Sequence, residues 1–415
     1  MQPIDSSQAD ERHSRASGAD DSQTESKNPQ TVPQGRARRA AHHVRGDAWL
    51  HRPDRRLRVT VALLAGMVVC ALLMPTSFVM EGAGPALDVN GTVDNKPVVA
   101  LSGVTTYPSE SDIFLTTVSS WGTPNVGITG YEALWALASP NYQLFPVHAL
   151  YPAGVTANEV DEQNQQQMAA SQDSAAAVAF HLAGFSVQET LTVAQVSRDY
   201  PSGAVLRVGD VITGIRRVAH AEDETPVANF VELANFLAAV TPGQEVQLQI
   251  VRDGVEHEVT TATVAQVGDA DGAARPGAML GVGINVADVR LPGKVTYGLD
   301  DIGGPSAGLM FTLGIYDQLT EGSLTGKIPI AGTGTMGWDG KVGVIGGIVH
   351  KMRGAVQHGV SDFLAPSGNC AETVGHEPPG MHVWAVSTAE EAIAAAQAIG
   401  SGQTDALTPC SALGR

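Results

Sequence analysis

Residues 333–351 read TGTMGWDGKVGVIGGIVHK, and upstream of them residues 303–308 read GGPSAG. In the longer stretch, Ile330 to Gly334 predicts a strand arriving at a glycine-rich turn, and Lys341 to Ile345 a strand leaving it. Gly346-Gly347 then leads into a helix, Ile348 to Val356, with Lys351 in its first turns. A lysine so early in a helix opposes the helix dipole. A neutral amine removes that conflict, and burial beside Ile345, Ile348 and Met352 would favour the neutral form. The alternative is a lysine that bends out to solvent along its apolar stem. His350 adjoins Lys351 but points to a different helix face, so it is expected to be exposed.

The shorter stretch breaks the chain sharply. Gly303-Gly304-Pro305 ends an extended segment and forces a turn. Ser306 then opens an apolar helix through Leu309, Met310, Phe311, Leu313 and Ile315 to about Leu319. A serine at this position is a favoured helix cap. It also suits a nucleophile, because backbone N–H groups of the first turn are free to stabilise an oxyanion. A neutral lysine within reach of its hydroxyl would be the general base.

Taken together, in this order and with this spacing, the two motifs resemble the proteolytic domain of the Lon family of serine–lysine peptidases. That family carries a Gly-Pro-Ser-Ala-Gly nucleophile motif. It also carries a Thr-Gly motif that runs on to Ile-Gly-Gly-x-x-x-Lys. The resemblance implies that residues 266–400 are a Lon-type α/β proteolytic domain. Ser306 would be its nucleophile and Lys351 its base, with Thr333 the threonine that hydrogen-bonds and positions the lysine. Two positions depart from the family pattern. An acidic residue is usual where Gly303 stands, and a glutamate where Thr335 stands; Asp300 and Asp301 lie near but out of register. No Gly-x-x-x-x-Gly-Lys-Ser/Thr phosphate loop occurs, so no ATP partner is expected.

Upstream, residues 184–265 resemble a PDZ domain. The stretch TVAQVSRDYPSGAVLRVGDVITGI, residues 192–215, carries the Leu-x-x-Gly-Asp-x-Ile core found in bacterial PDZ domains. A strand Leu191–Val196, a helix Val227–Val240 and a strand Glu245–Arg252 ending in an Asp253-Gly254 turn follow the expected order. The resemblance implies a peptide-binding module, with Gly184-Phe185-Ser186-Val187 as candidate carboxylate loop. Residues 157–183, rich in Gln and Ala, predict a connecting helix. Residues 81–156 alternate short β-type runs with turns and predict a separate β-rich unit without chemistry of its own.

Residues 59–80, VTVALLAGMVVCALLMPTSFVM, contain no charge and are long enough for a transmembrane helix, with the lipid bilayer as partner. Arg52, Arg55, Arg56 and Arg58 precede this run, and Glu81 and Asp88 follow it. That bias places the N-terminus in the cytoplasm and residues 81–415 outside a cell membrane. The competing reading is a cleaved signal peptide, with small residues at Gly82, Ala83 and Gly84. Residues 1–58 form a basic tail, with 11 Lys/Arg against 8 Asp/Glu, and residues 1–35 have the composition of disordered chain. The rest carries 14 Lys/Arg against 35 Asp/Glu, which argues against nucleic acid as a partner, because phosphate binding needs a basic surface. The three cysteines have no metal-ligand spacing. No metal and no cofactor is expected, and Cys370 with Cys410 is the candidate disulfide. Ser387 and Glu390 look like the capping box of a helix Thr388–Ile399, after which residues 401–415 form a C-terminal tail.

The predicted fold class is α+β: one N-terminal transmembrane helix, a small β-rich unit, a PDZ domain and a Lon-type α/β proteolytic domain. This layout is similar to that of membrane-anchored, PDZ-containing bacterial Lon-type peptidases. It implies an ATP-independent serine endopeptidase whose PDZ domain selects unfolded or tethered polypeptides. Two other functions fit parts of the sequence. One is a PDZ adaptor with an inactive peptidase domain, the other a carboxy-terminal processing peptidase. The oligomeric state is not legible.

Overall fold

The computed structural model describes residues 54–219, 225–266, 277–299 and 302–414. The expected disorder of residues 1–35, the arginines before residue 54, and Asp300 and Asp301 lie outside the described residues. In chain order, helix α1 (Arg55–Leu73) precedes strands β1 (Phe78–Asp88) and β2 (Ile113–Trp121), helix α2 (Gly130–Ala138), strand β3 (Tyr142–Pro146) and helix α3 (Ala157–Leu182). Strands β4 (Gln188–Val196) and β5 (Val211–Arg217) follow, then helix α4 (Phe230–Ala238) and strands β6 (Glu245–Arg252), β7 (Val255–Ala262) and β8 (Val282–Arg290). The last third holds helix α5 (Gly308–Leu319), strand β9 (Ile330–Gly332), helix α6 (Ile348–Gln357), strands β10 (Asp362–Pro366) and β11 (His382–Val386), and helix α7 (Ala389–Gly400). The mixture of helices and strands is that of an α+β chain.

Helix α1 is long and apolar enough to cross a membrane, at 19 residues. At about 1.5 Å per residue it nearly matches a hydrocarbon core of roughly 30 Å. The expected span over 59–80 is too long at its C-terminal end. Pro75 cannot continue the helix; it bridges Thr129 instead, and Phe78, Val79 and Met80 begin β1. The end of α1 is tied to the body through Gly130 N–H to Met74 carbonyl at 3.0 Å and Thr76 N–H to Ile128 carbonyl at 2.8 Å. Glu81 and Asp88, expected as the acidic flank of the span, are both strand residues of β1.

Six strands form one mixed sheet in the order β11-β10-β9-β2-β1-β3. The strands from β11 to β2 pair in parallel, and β2-β1-β3 are antiparallel. The expected separate β-rich unit at 81–156 therefore does not stand apart. Its long runs of alternating residues complete the sheet that begins with Ile330, where Ile330 pairs with Ile113 and Gly332 with Leu115. Likewise α3 is more than a connector. Capped by Thr156 and Glu159, it buries Ala175 through Phe180 in the same apolar core as Leu309, Phe311 and Leu313 of α5.

A second, antiparallel sheet runs β7-β6-β5-β4-β8. Val246, Leu248 and Ile250 of β6 point inward at the strand period of two. They meet Leu233 and Leu237 of α4 in a core of their own. This module reaches Arg290, past the expected boundary at 265, because β8 closes its edge against β4. A buried ion pair braces it. Arg252 Nε and Nη2 donate to the carboxylate of Asp210 at 2.7 and 2.6 Å, and Arg252 Nη2 also reaches Val205 carbonyl at 2.8 Å. Burial works against the Asp210 charge, but the Arg252 hydrogen bonds and the Arg207 amide hold its carboxyl below the usual range.

Helix α7 is capped one residue later than expected: Thr388 accepts from Glu391 N–H, and Glu391 accepts from Ser387 N–H. Cys370 and Cys410 form a disulfide that returns the C-terminal segment to the body.

Removing one member of a buried ion pair strands the other, at a cost of roughly 3 kcal/mol or more. We therefore expect Asp210→Ala to raise amide hydrogen exchange across β4–β8 while leaving the β9–β11 amides protected. Uniform loss of protection over both sheets would show that the pair supports the whole fold instead.

Candidate active site

Ser306 lies in a single 3-10 turn, Pro305–Ala307, that runs directly into α5. The helix can come this close to its neighbours because residue 308 is glycine. A Cβ there would press on Ser171 Oγ and lie 2.8 Å from Met336 N. Two serines one turn apart on α3 hold the two motifs: Ser171 Oγ donates to Pro305 carbonyl and Ser174 Oγ to Met336 carbonyl, both at 2.8 Å. Residue 303, where an acidic residue is usual, faces Asn164. A Cβ at Gly303 would lie 2.8 Å from Asn164 Cβ, so α3 occupies the room a longer side chain needs.

Lys351 sits one turn into α6. Gly347, with φ of 69°, supplies the left-handed residue at which the chain turns into that helix. Asn369 clamps the preceding segment, its side chain exchanging two hydrogen bonds of 2.9 Å with the amide and carbonyl of Ile345. The lysine is buried, 3 % exposed. Ile345, Ile348 and Met352 belong to the apolar cluster on this side of the sheet. Desolvation lowers the pKa of its amine to about 8. Nζ lies 2.9 Å from Ser306 Oγ and donates to Thr116 carbonyl at 2.8 Å.

Thr333 is close by but does not contact the amine. Its hydroxyl donates to the backbone carbonyl of Ser306 at 3.0 Å, which also accepts Gly334 N–H at 2.9 Å. In place of the expected threonine–lysine bond the hydroxyl bonds the backbone of Ser306, while Thr116 carbonyl of β2 is a second partner of the amine. This partner was not visible in the sequence, since any residue type supplies a carbonyl and no local pattern placed β2 beside α6.

The pair opens into a cleft of about 850 Å³ lined by Ser306, Lys351, Thr116, Glu81, Gln143 and Leu150, among others. Burial pushes the carboxyl of Glu81 above its usual range. His350, expected to be exposed, also lines the cleft and is buried. Its ring nitrogens have no partner among the described residues. Desolvation, with the nearby Arg353 charge, favours its neutral form. His350 is covered because α6 is packed on more than one side: Gly354 packs on Gly84 carbonyl of β1, where a Cβ would lie 2.6 Å away. Thr335, where the family carries glutamate, sits in the short hairpin Thr335–Met336 with Val342–Gly343. No group of three or more His, Cys, Asp or Glu side chains among the described residues is arranged to hold a metal ion.

Residues 295–396 match the family described as the Lon protease (S16) C-terminal proteolytic domain. This part of the chain is therefore a serine peptidase domain of that type. No curated protein matches the chain. Among solved structures, the PDZ domain of an SdrC-like protein from Listeria monocytogenes is similar, with 20% identity and a TM-score of 0.19, over 23% of this chain and 85% of that one. The corresponding PDZ domain from Listeria innocua has 19% identity and a TM-score of 0.18, over 23% of this chain and 92% of that one.

The Thr333 hydroxyl holds the backbone carbonyl of the residue that carries Oγ. Loss of one such hydrogen bond costs about 0.5–1.5 kcal/mol of stability, whereas a small misplacement of a reacting group costs far more in rate. We expect Thr333→Val to lower kcat about tenfold or more with KM little changed, and Thr333→Ser to restore it. Equal kinetics for Thr333→Val and the parent would leave the hydroxyl a purely structural role.

Proposed function

We propose that this chain, whose residues 295–396 are a Lon-type proteolytic domain, is an ATP-independent serine endopeptidase held at a membrane by α1. The observation that carries this reading is the 2.9 Å approach of Lys351 Nζ to Ser306 Oγ inside a cleft. In the neutral form the amine can keep one N–H on Thr116 carbonyl and turn its lone pair to the serine hydroxyl. Lys351 then takes the hydroxyl proton as Oγ attacks the scissile carbonyl, and returns it to the leaving amine. The first-turn N–H groups of Ser306 and Ala307 precede the helix's own hydrogen-bonding partners and would receive the oxyanion. Water, deprotonated by the same lysine, hydrolyses the acyl-enzyme. Thr333 positions Ser306 through its backbone.

The domains we assign are a tail before α1, the membrane span, and a proteolytic domain built from 78–182 together with 291–414. A PDZ domain of residues 184–290 is inserted between the two parts. In this reading the PDZ domain takes over substrate selection from the ATPase of other Lon proteases by adding an extended peptide to its sheet. Phe185 of the candidate carboxylate loop packs on Phe180 at 5.6 Å between ring centroids, and Val187 is buried in the core it shares with α5. The substrates are unfolded or tethered polypeptides, since the sequence carries no phosphate-loop motif with which to drive the unfolding of a folded one. The disulfide between Cys370 and Cys410 agrees with a catalytic part outside the cytoplasm, where such bonds persist. The arginines at the start of α1 agree with a cytoplasmic N-terminus.

Ser306→Ala and Lys351→Ala are each expected to abolish peptide hydrolysis by the full chain while it stays folded, and the double variant to be no worse than either. Near-parent turnover by Lys351→Ala would sink the assignment. A fluorophosphonate probe should label the parent chain and not Ser306→Ala; an unlabelled parent would favour the adaptor reading.

The pH profile follows from the lysine. Because burial lowers its pKa, the neutral fraction grows as pH rises and reaches half near pH 8. The rate of peptide hydrolysis is expected to climb about tenfold per unit below that point and to level off above it. Added ATP and magnesium should not change it. A plateau already reached near pH 7, or stimulation by ATP, would require a different base or a nucleotide-driven step.

A further inference from the structure

At the end of the sheet nearest α1, a surface of apolar and aromatic side chains is left uncovered by the described residues. Helix α2 exposes Tyr131 (61 %), Leu134 (58 %), Trp135 (46 %) and Leu137 (74 %). Trp135 and Trp121 flank Tyr142 at 4.6 and 5.7 Å between ring centroids, making an aromatic cluster at the foot of β2 and β3. Between Trp121 and Tyr151 the only Asp, Glu, Lys or Arg is Glu132. Its carboxylate is turned back to the amide and hydroxyl of Thr129, both at 2.8 Å, as a helix cap. A solvent-facing helix without a charged face has the composition of a covered one.

The chain itself says what covers it. The residue that caps α2, Thr129, bridges Pro75, and Gly130 N–H bonds Met74 carbonyl, so α2 starts where α1 stops. We propose that the exposed face of α2, with Trp121, Trp135 and Tyr142, rests in the headgroup layer of the bilayer that α1 crosses. This rests on the reading of α1 as a membrane span. Tryptophan and tyrosine suit that layer because one end of each ring system is apolar and the other carries a polar group. The cluster and the cleft lie on opposite faces of the sheet, because Tyr142 alternates with Gln143, but both reach the junction with α1. Pro146 pairs with Phe78 at the start of β1, Val147 N–H bonds Ser77 carbonyl at 2.9 Å, and Phe145 and Leu150 on either side of that junction line the cleft. One end of the cleft is thereby held at the bilayer surface, which makes segments that emerge from the same membrane its substrate class.

The test uses the full chain carrying Trp49→Phe, reconstituted into phosphatidylcholine–phosphatidylglycerol vesicles with and without bromine on the acyl chains. Bromine quenches tryptophan only at close range. The expected result is lower fluorescence in brominated vesicles, with the loss removed by Trp121→Phe combined with Trp135→Phe. Equal fluorescence in the two lipids, from protein that floats with the vesicles, overturns the contact surface while leaving the span in place. A quench that survives the double substitution overturns the assignment to these residues. Protein that does not float with the vesicles overturns the span and the surface together. A dimer that buries Trp135 away from lipid would give the equal-fluorescence result and would replace the bilayer by a second copy as the occupant.

Discussion

An ammonium group cannot be left without water at low cost, and Lys351 is placed where water is scarce. Burial among Ile345, Ile348 and Met352 disfavours the charge, and no carboxylate among the described residues pairs it. The structure offers instead a backbone carbonyl and a hydroxyl, 2.8 and 2.9 Å away. Those partners come from segments far apart in the chain, at Thr116 and Ser306. Holding them in register needs β2 in the sheet beside β9, the α3 serines under Pro305 and Met336, and the Asn369 clamp before α6. Much of the architecture is thus the scaffold for one amine whose charge is disfavoured.

Local features of this scaffold were legible in the sequence. The helix after Ser306, the helix around Lys351 and the strand Glu245–Arg252 follow from periodicity and from glycine and proline punctuation, which act over a few residues. The pairing of β2 with β9, which brings β1 into the same sheet, was not legible. Strand partners separated by more than two hundred residues leave no mark on local periodicity, so residues 81–156 read as an independent unit. The same blindness hid Thr116, whose contribution is a carbonyl. It also misplaced His350, because one helix face says nothing about what packs on the others. At Ser387 and Thr388, adjacent hydroxyls each have an acidic residue three positions on, and only the structure shows that Thr388 is the cap.

The antiparallel module interrupts the chain between α3 and α5 and still shares their core. The chain enters it from α3, whose serines bind Pro305 and Met336, and returns through a strand, Lys294–Tyr297, paired with Val99–Ser102. Val187 and Val231 of the module are buried with residues of α5. Both module and cleft therefore lean on α3 and α5, and substitutions at the contact between them are expected to couple rather than add.

The bond between Cys370 and Cys410 has a bearing on the durability of the enzyme once it is made. It closes a covalent ring around β10's exit, β11 and α7. A peptidase displayed among its own copies is exposed to nicking, by itself or by others. A cut anywhere inside that ring leaves both pieces joined, with β11 still beside β10. Such a molecule would run as an intact chain on a gel without reductant and fall into two bands only with it.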